Sequence, residues 1–393
     1  MSAATPFQRN KIFLLASGHA VNDALTGFLP PLLPLLMTEM KISIAGAGIL
    51  ATILSVSNSL PQPIYGVIND TFGKRFFVYL GPLVTAVFIC LIGYASSYSS
   101  LVVMLALCGT GSAVFHPAAA ALVDRLGGHH KSLAMSIFVT AGNFGHSISP
   151  LLVVPVVALL GLRGLPAFFV VGALFSFLLF RYIPESTSSR VFREKLNWRQ
   201  VPWRRMRALG LLQLIAIVRA FVISGFATFL PLYMHQNGLS LFSSGATATL
   251  FHGIGSLGGL MGGHLSDVFS RKRIMQIPMA LVLPLLLAFF YFDGALRFFC
   301  LALAGIALYI SLPLNVVMAV ELFPHHAGTA SALMIGFAWG VGGLLLTPFG
   351  IAADRLGLKA SMIWLTLLTL LAVVAAFFLS DDKEAVNAKT KLA

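Results

Sequence analysis

Blocks of about 20 mostly apolar residues succeed one another along almost the whole chain, with short polar breaks between them, and that is the length an α-helix needs to cross a bilayer's hydrocarbon core. Composition excludes a soluble fold: 58% of the 393 residues are hydrophobic and only 10% are charged, against roughly a quarter charged in a soluble domain. The pattern predicts an all-α integral membrane protein with twelve transmembrane helices. They are expected over residues 12–36, 46–68, 76–96, 101–124, 133–158, 165–183, 208–234, 242–264, 274–292, 296–320, 329–352 and 360–380. The stretch after Lys11 is too long for the core of a signal peptide, so the first span is expected to stay in the protein.

A net charge of +13 would suggest nucleic acid as partner of a soluble protein, but in a membrane protein the placement of Lys and Arg reports orientation. With both termini cytoplasmic, 20 of the 26 fall on the inner side, 5 on the outer side, and one, Arg219, inside span seven. That asymmetry agrees with an even number of spans. The basic run "RVFREKLNWRQVPWRRMR" between spans six and seven reads as a contact with anionic lipid headgroups rather than with nucleic acid. Cys90, Cys108 and Cys300 lie in apolar spans without paired spacing, which predicts neither a disulfide framework nor a metal site.

The chain also repeats itself. "FLPPL" at 28–32 returns as "FLPLY" at 229–233, "GVINDTFGKR" at 66–75 as "GHLSDVFSRKR" at 263–273, Pro117 as Pro313, and the pair Gly142 and Pro150 as Gly340 and Pro348. The offsets stay between 196 and 201 residues. This predicts an N-terminal six-helix half (1–183), a basic cytoplasmic linker (184–207), a C-terminal six-helix half (208–380) and a cytoplasmic tail (381–393). Parallel repeated halves are an architecture of secondary transporters, with the substrate site near mid-bilayer between them. Glycines and prolines in spans one, five, eight and eleven allow the close helix contacts and bends such a machine needs.

Of the 13 acidic residues only Asp23 lies deep within a span. Counting from Lys11, twelve residues at 1.5 Å each place it about 18 Å into a core about 30 Å thick. A carboxylate there costs roughly 3 kcal/mol on insertion scales and marks a functional site by default. His19 is its neighbour one turn away on the same face, so the pair can load and unload a proton, the proton-coupling site expected here; a neutral packing pair is the plainer alternative. The other deep polar residues are Asn22, Asn58, Gln62, His116, Asn143, His146, Arg219, His252 and Asn315. Asn22, His116, Asn143, His146, Arg219 and His252 are the candidate substrate contacts. Arg219, the one fixed positive charge at mid-depth, suits either an anionic group of the cargo or a counter-ion role towards Asp23. The histidines show no spacing of metal ligands, so no metal is expected.

These residues carry a family likeness. "GVINDTFGKR" resembles the loop between spans two and three of the major facilitator superfamily, and "GHLSDVFSRKR" is its weaker copy, with Ser270 in place of the second glycine. Gly66, Asp70, Gly73, Lys74, Arg75, Asp267 and Arg271 form the expected gating motif: Asp70 can cap or pair with a neighbouring helix end while Lys74 and Arg75 stay among the inner headgroups. More narrowly, "HAVND", "LPQPIYGVINDTFGKR", "GTGSAVFHP" and "GNFGHSISP" resemble the fosmidomycin-resistance group of that superfamily. The resemblance implies a twelve-span inner-membrane exporter of toxic or amphiphilic small molecules in exchange for protons. It extends to His19, Asn22, Asp23, His116, Pro117 and the glycines around Gly142 and Gly145. The group tends to follow its His-Pro with an acidic residue and then an arginine, where this chain has Ala118 and Ala121. That shifts weight onto Asp23, His116 and Arg219.

The expected function is therefore proton-coupled efflux by alternating access, with the proton gradient as energy source, no cofactor, and a monomer in a bacterial inner membrane. Proton-coupled uptake of a small organic anion is the second possibility in the same fold. The chain has no Gly-x-Ser-x-Gly and no His-Glu-x-x-His, which argues against hydrolase or protease chemistry. A sensor that binds cargo without moving it is a third.

Overall fold

The structure, a computed structural model, describes residues 7–72, 76–183, 201–323 and 326–379. The described residues form helices and short turns, with no strand among them. Lipid offers the backbone no hydrogen bonds, so a chain this apolar must close its own i to i−4 ladder. In chain order we label the helices α1 (Arg9–Met40), α2 (Ile44–Ile68), α3 (Phe76–Tyr94), α4 (Tyr98–Leu126), α5 (Leu133–Leu160), α6 (Leu162–Tyr182) and α7 (Trp203–Gln236). After them come α8 (residues 241–268), then α9 (Arg271–Tyr291), α10 (Gly294–Leu322), α11 (Thr329–Leu356) and α12 (Leu358–Phe377).

Eleven of these are long and apolar enough to cross a membrane, and α8 is the exception among the described residues. The sequence reading expects one unbroken span at 242–264. Instead the helix Leu241–Thr249 passes through a π-turn at Leu250–Ile254 into Gly255–Val268, a stretch rich in Gly, Ser and Thr. Spans one and seven run longer than expected, beginning at Arg9 and Trp203. The protein is a multi-pass membrane protein. Large apolar side chains remain on the surface, Leu159 at 84% exposure among them, as lipid-facing positions should.

Helix starts follow local chemistry. Ser43 caps α2 by accepting from the Gly46 N–H at 3.1 Å, and Ser97 and Ser100 form a reciprocal capping box at the start of α4. The basic linker lies outside the described residues up to position 200, as do 380–393; its last residues open α7.

The chain packs as two compact units, Met1–Phe192 with Thr228–Thr249, and Arg193–Ala227 with Leu250–Ala393. In the first, Ile12 and Leu15 of α1 meet Phe115, Ala118 and Leu122 of α4, Phe138 of α5 and Leu179 of α6 in one core. Close approach of α1 and α5 depends on glycine: a Cβ on Gly145 would strike the backbone carbonyl of Ala20, and one on Gly142 would strike the His19 ring. In the second unit, Arg271 at the start of α9 pairs with Glu321 near the end of α10.

Candidate functional site

The fold brings His19, Asn22 and Asp23 of α1 against Ser112 and His116 of α4 and the Phe138 carbonyl of α5. His19 and Asp23 are one turn apart, as their i, i+4 spacing dictates, with His19 Nε2 3.1 Å from Asp23 Oδ2. The other carboxyl oxygen, Oδ1, is 3.2 Å from His116 Nε2. Asn22 Nδ2 donates to Asp23 Oδ1 at 3.0 Å and to Ser112 Oγ at 2.8 Å. Each imidazole is held from behind: His19 Nδ1 donates to the Phe138 carbonyl at 2.8 Å and His116 Nδ1 to the Ser112 carbonyl at 2.7 Å. His19 also stacks on Phe138, ring centroids 4.1 Å apart. The Asp23 and His116 side chains keep 20% of their surface accessible, whereas His19 is closed in at 7%.

His146 of α5 reaches the backbone carbonyl of Asp23. Asn143, on the same helix, is half-buried and outside this hydrogen-bonded group. The second unit has a polar cluster of its own. Arg219 of α7, 1% exposed, donates through Nη1 to Asn315 Oδ1 at 2.9 Å and Ser311 Oγ at 3.2 Å, both on α10. Asn315 in turn donates to the Leu212 carbonyl at 2.7 Å. The buried Nε of Arg219 has no partner among the described residues. His252, inside the π-turn of α8, lies 2.7 Å from the Tyr309 hydroxyl through Nδ1.

Arg219 thus hydrogen-bonds neutral groups within its own unit, and the groups placed on the Asp23 carboxyl oxygens are the two histidines. Sequence reasoning placed His116 among cargo contacts; the structure puts it on the carboxyl group. Ser112, Ser311, Tyr309 and the Phe138 carbonyl were missed, because a serine, a tyrosine or a main-chain acceptor in an apolar run gives no signal of its own. The spacing suggested no metal set, yet the ligating atoms of His19, Asp23 and His116 lie within 4.8 Å of one another, near enough to hold an ion. They face each other directly, and hydrogen bonding is the contact they make here. All three cysteines are free and buried. Of the gating motif, Gly66 and Arg271 are described; Asp70 and Asp267 lie in helices whose side chains there fall outside the described residues, as do Gly73, Lys74 and Arg75 entirely.

A family model described as Major Facilitator Superfamily matches residues 15–347. The chain belongs to that superfamily. It is 27% identical to the fosmidomycin resistance protein of Escherichia coli (strain K12), over 97% of this chain and 96% of that one. It is 26% identical to a probable sulfoacetate transporter, SauU, of Cupriavidus necator, with 82% of each covered. Its fold is that of a bacterial homologue of the human lysosomal transporter Spinster, at a TM-score of 0.74, with 15% identity, 96% of this chain and 98% of that one covered. This superfamily member is a transporter and not an enzyme.

Proposed function

We propose that this transporter exports small toxic molecules from a bacterial cell by proton antiport, through alternating access, as a twelve-span monomer of the inner membrane with both termini cytoplasmic. The observation that carries the reading is the Asp23 carboxyl group, seated in a membrane helix with one imidazole on each oxygen. An acidic group in that setting is costly unless it works, and a proton shared with two rings is the work it is equipped for. The likeness to a fosmidomycin resistance protein supports efflux. Proton and cargo must favour opposite-facing states, since a ligand shifts an equilibrium only by its differential affinity. The Arg271–Glu321 pair suits a gating contact that is remade as the inner side opens and closes.

The full chain in proteoliposomes tests this with labelled fosmidomycin. Vesicles with an acidic lumen are expected to accumulate it as protons leave. Accumulation only when the lumen is alkaline would show symport, and accumulation under neither gradient would remove the proposal.

Uptake of an organic anion is favoured by one observation, the buried Arg219 with neutral partners and an unpartnered Nε; the likeness to a sulfoacetate transporter points the same way. A charge-assisted hydrogen bond contributes about 1.5–3 kcal/mol, so Arg219→Gln should raise KM for labelled sulfoacetate by roughly 10- to 150-fold if this reading holds. The variant should still fold, because no ion pair is broken. An unchanged KM excludes Arg219 as the anion contact.

A further inference from the structure

Hydrogen positions in the Asp23 cluster follow from its neighbours. His19 Nδ1 faces the Phe138 carbonyl at 2.8 Å; His116 Nδ1 faces the Ser112 carbonyl at 2.7 Å, with the Ser112 hydroxyl farther off at 3.3 Å, and since a carbonyl oxygen only accepts, the shorter contact requires a hydrogen on each Nδ1. Both Nδ1 atoms therefore carry hydrogen whether the ring is charged or neutral. The atom whose occupancy changes is Nε2, and the two Nε2 atoms face different oxygens of one carboxyl group, at 3.1 and 3.2 Å. A bare ring nitrogen opposite a bare carboxylate oxygen sets two acceptors against each other. Each contact is a hydrogen bond only while one proton lies in it.

We infer that this cluster takes up and releases two protons together, one in each contact, and that His116 is a second proton carrier rather than a cargo contact. The inference rests on the proton-coupled reading of the same site. Loaded, the carboxyl group, two rings and two protons sum to a charge of +1, whichever partner in each contact holds its proton. Unloaded, both protons have passed to water, leaving a carboxylate and two neutral rings hydrogen-bearing at Nδ1, for a sum of −1. Both contacts then become repulsive, and because the His116 contact joins α4 to α1, the packing of these two helices loosens at this point. Loss of the proton between His116 and Asp23 parts α4 from α1 and opens the remaining contact to water, and that access couples the second release to the first.

Two further polar groups adjoin the cluster. Asn22 Nδ2 donates to Asp23 Oδ1 and Ser112 Oγ and keeps the carboxyl group oriented in both states. His146 hydrogen-bonds the main-chain carbonyl of Asp23 and feels the charge of its carboxyl group; its ring is the third histidine of this region that 15N-labelled spectra resolve.

Solid-state NMR of the full chain in lipid bilayers, with 15N-labelled histidine, reads this without knowledge of the cargo. His19→Gln and His116→Gln assign the two rings by the signals each removes. On raising the pH, Nε2 of both rings should change from hydrogen-bonded to bare over one common range, while both Nδ1 atoms keep their hydrogen throughout. In His116→Gln, the His19 response alone should remain, and the ratio of protons to labelled fosmidomycin should fall from two to one. A neutral ring with its hydrogen on Nε2, or a response from one ring only in the unsubstituted protein, overturns the inference; those spectra decide even if His116→Gln does not fold. If both rings respond as described while Asp23→Asn vesicles still move fosmidomycin against a pH gradient, the two-proton cluster stands and the coupling reading falls. Intact coupling with a single responding ring has the opposite meaning.

Discussion

Asp23→Asn is expected to abolish the proposed proton-driven transport in a protein that still folds. The amide matches the carboxyl group in size and keeps one acceptor oxygen, but its hydrogens cannot be shed, so the state that should release protons no longer exists. Coupling free energies of about 1–3 kcal/mol correspond to roughly 5- to 150-fold, and flux driven by an imposed pH gradient should fall by at least the upper end of that range. Folding has little to lose. Removing a carboxylate from mid-membrane relieves a cost of about 3 kcal/mol on insertion scales, and Asn22, Ser112 and both ring-to-carbonyl bonds remain in place. The measurement is labelled fosmidomycin flux in proteoliposomes with and without a gradient, beside the elution profile and melting temperature of the purified variant. Gradient-driven flux at the unsubstituted rate would refute the assignment of Asp23. A variant that is monodisperse, melts normally and shows gradient-independent exchange is the expected result.

The residues at this site were unevenly legible in the sequence. Asp23 announced itself because a carboxyl group in a long apolar run has few innocent explanations, and His19 because helical periodicity alone places it beside Asp23. His116 is 93 residues further along the chain. Its approach depends on how α4 packs on α1, which local pattern does not encode. The same limit hid the metal-compatible convergence of His19, Asp23 and His116, since spacing rules find ligands on one helix and these come from two. Arg219 was visible as a charge, but its neutral partners Ser311 and Asn315 sit 92 and 96 residues away and could not be paired with it in advance.

At the level of the fold, apolar run length gave most of the helices because lipid leaves the backbone little alternative to helix. At α8 the helix expected over 242–264 is present, across residues 241–268, but it is the least apolar of the set. Residues 241–268 hold enough Gly, Ser, Thr and His that hydropathy reads the stretch weakly, while the π-turn at Leu250–Ile254 that carries His252 has no reliable signature in residue type. A π-turn widens the helix locally and is often found at functional positions, which fits its placing His252 against Tyr309. The internal repeat predicted corresponding glycines and prolines in both parts of the chain, but not the contact each glycine makes.

One of those contacts yields the largest expected effect on stability. A Cβ at Gly145 would fall on the main-chain carbonyl of Ala20, an atom that cannot rotate away because it belongs to the helix ladder of α1. Gly145→Val adds two methyl groups beyond that Cβ, so α1 and α5 must separate along a shared interface that also holds the Asp23 cluster. Overpacking costs about 1–3 kcal/mol where side chains can adjust, and more where they cannot; set against a total stability of about 5–15 kcal/mol, the variant should lose most of its folded yield. Two other glycines calibrate the result. At Gly142 the added carbon would meet the His19 ring, which can move, so Gly142→Ala should fold yet displace His19 from Asp23 and weaken coupling. At Gly210 nothing lies within 4 Å of the added carbon, and Gly210→Ala should melt at or above the unsubstituted temperature, helped by about 1 kcal/mol of helix propensity. The expected order of melting temperature is Gly210→Ala, then Gly142→Ala, then Gly145→Val. A Gly145→Val protein as stable as the Gly210→Ala protein would mean that α1 and α5 do not cross at that distance, and the placement of His19 against α5 would fall with it.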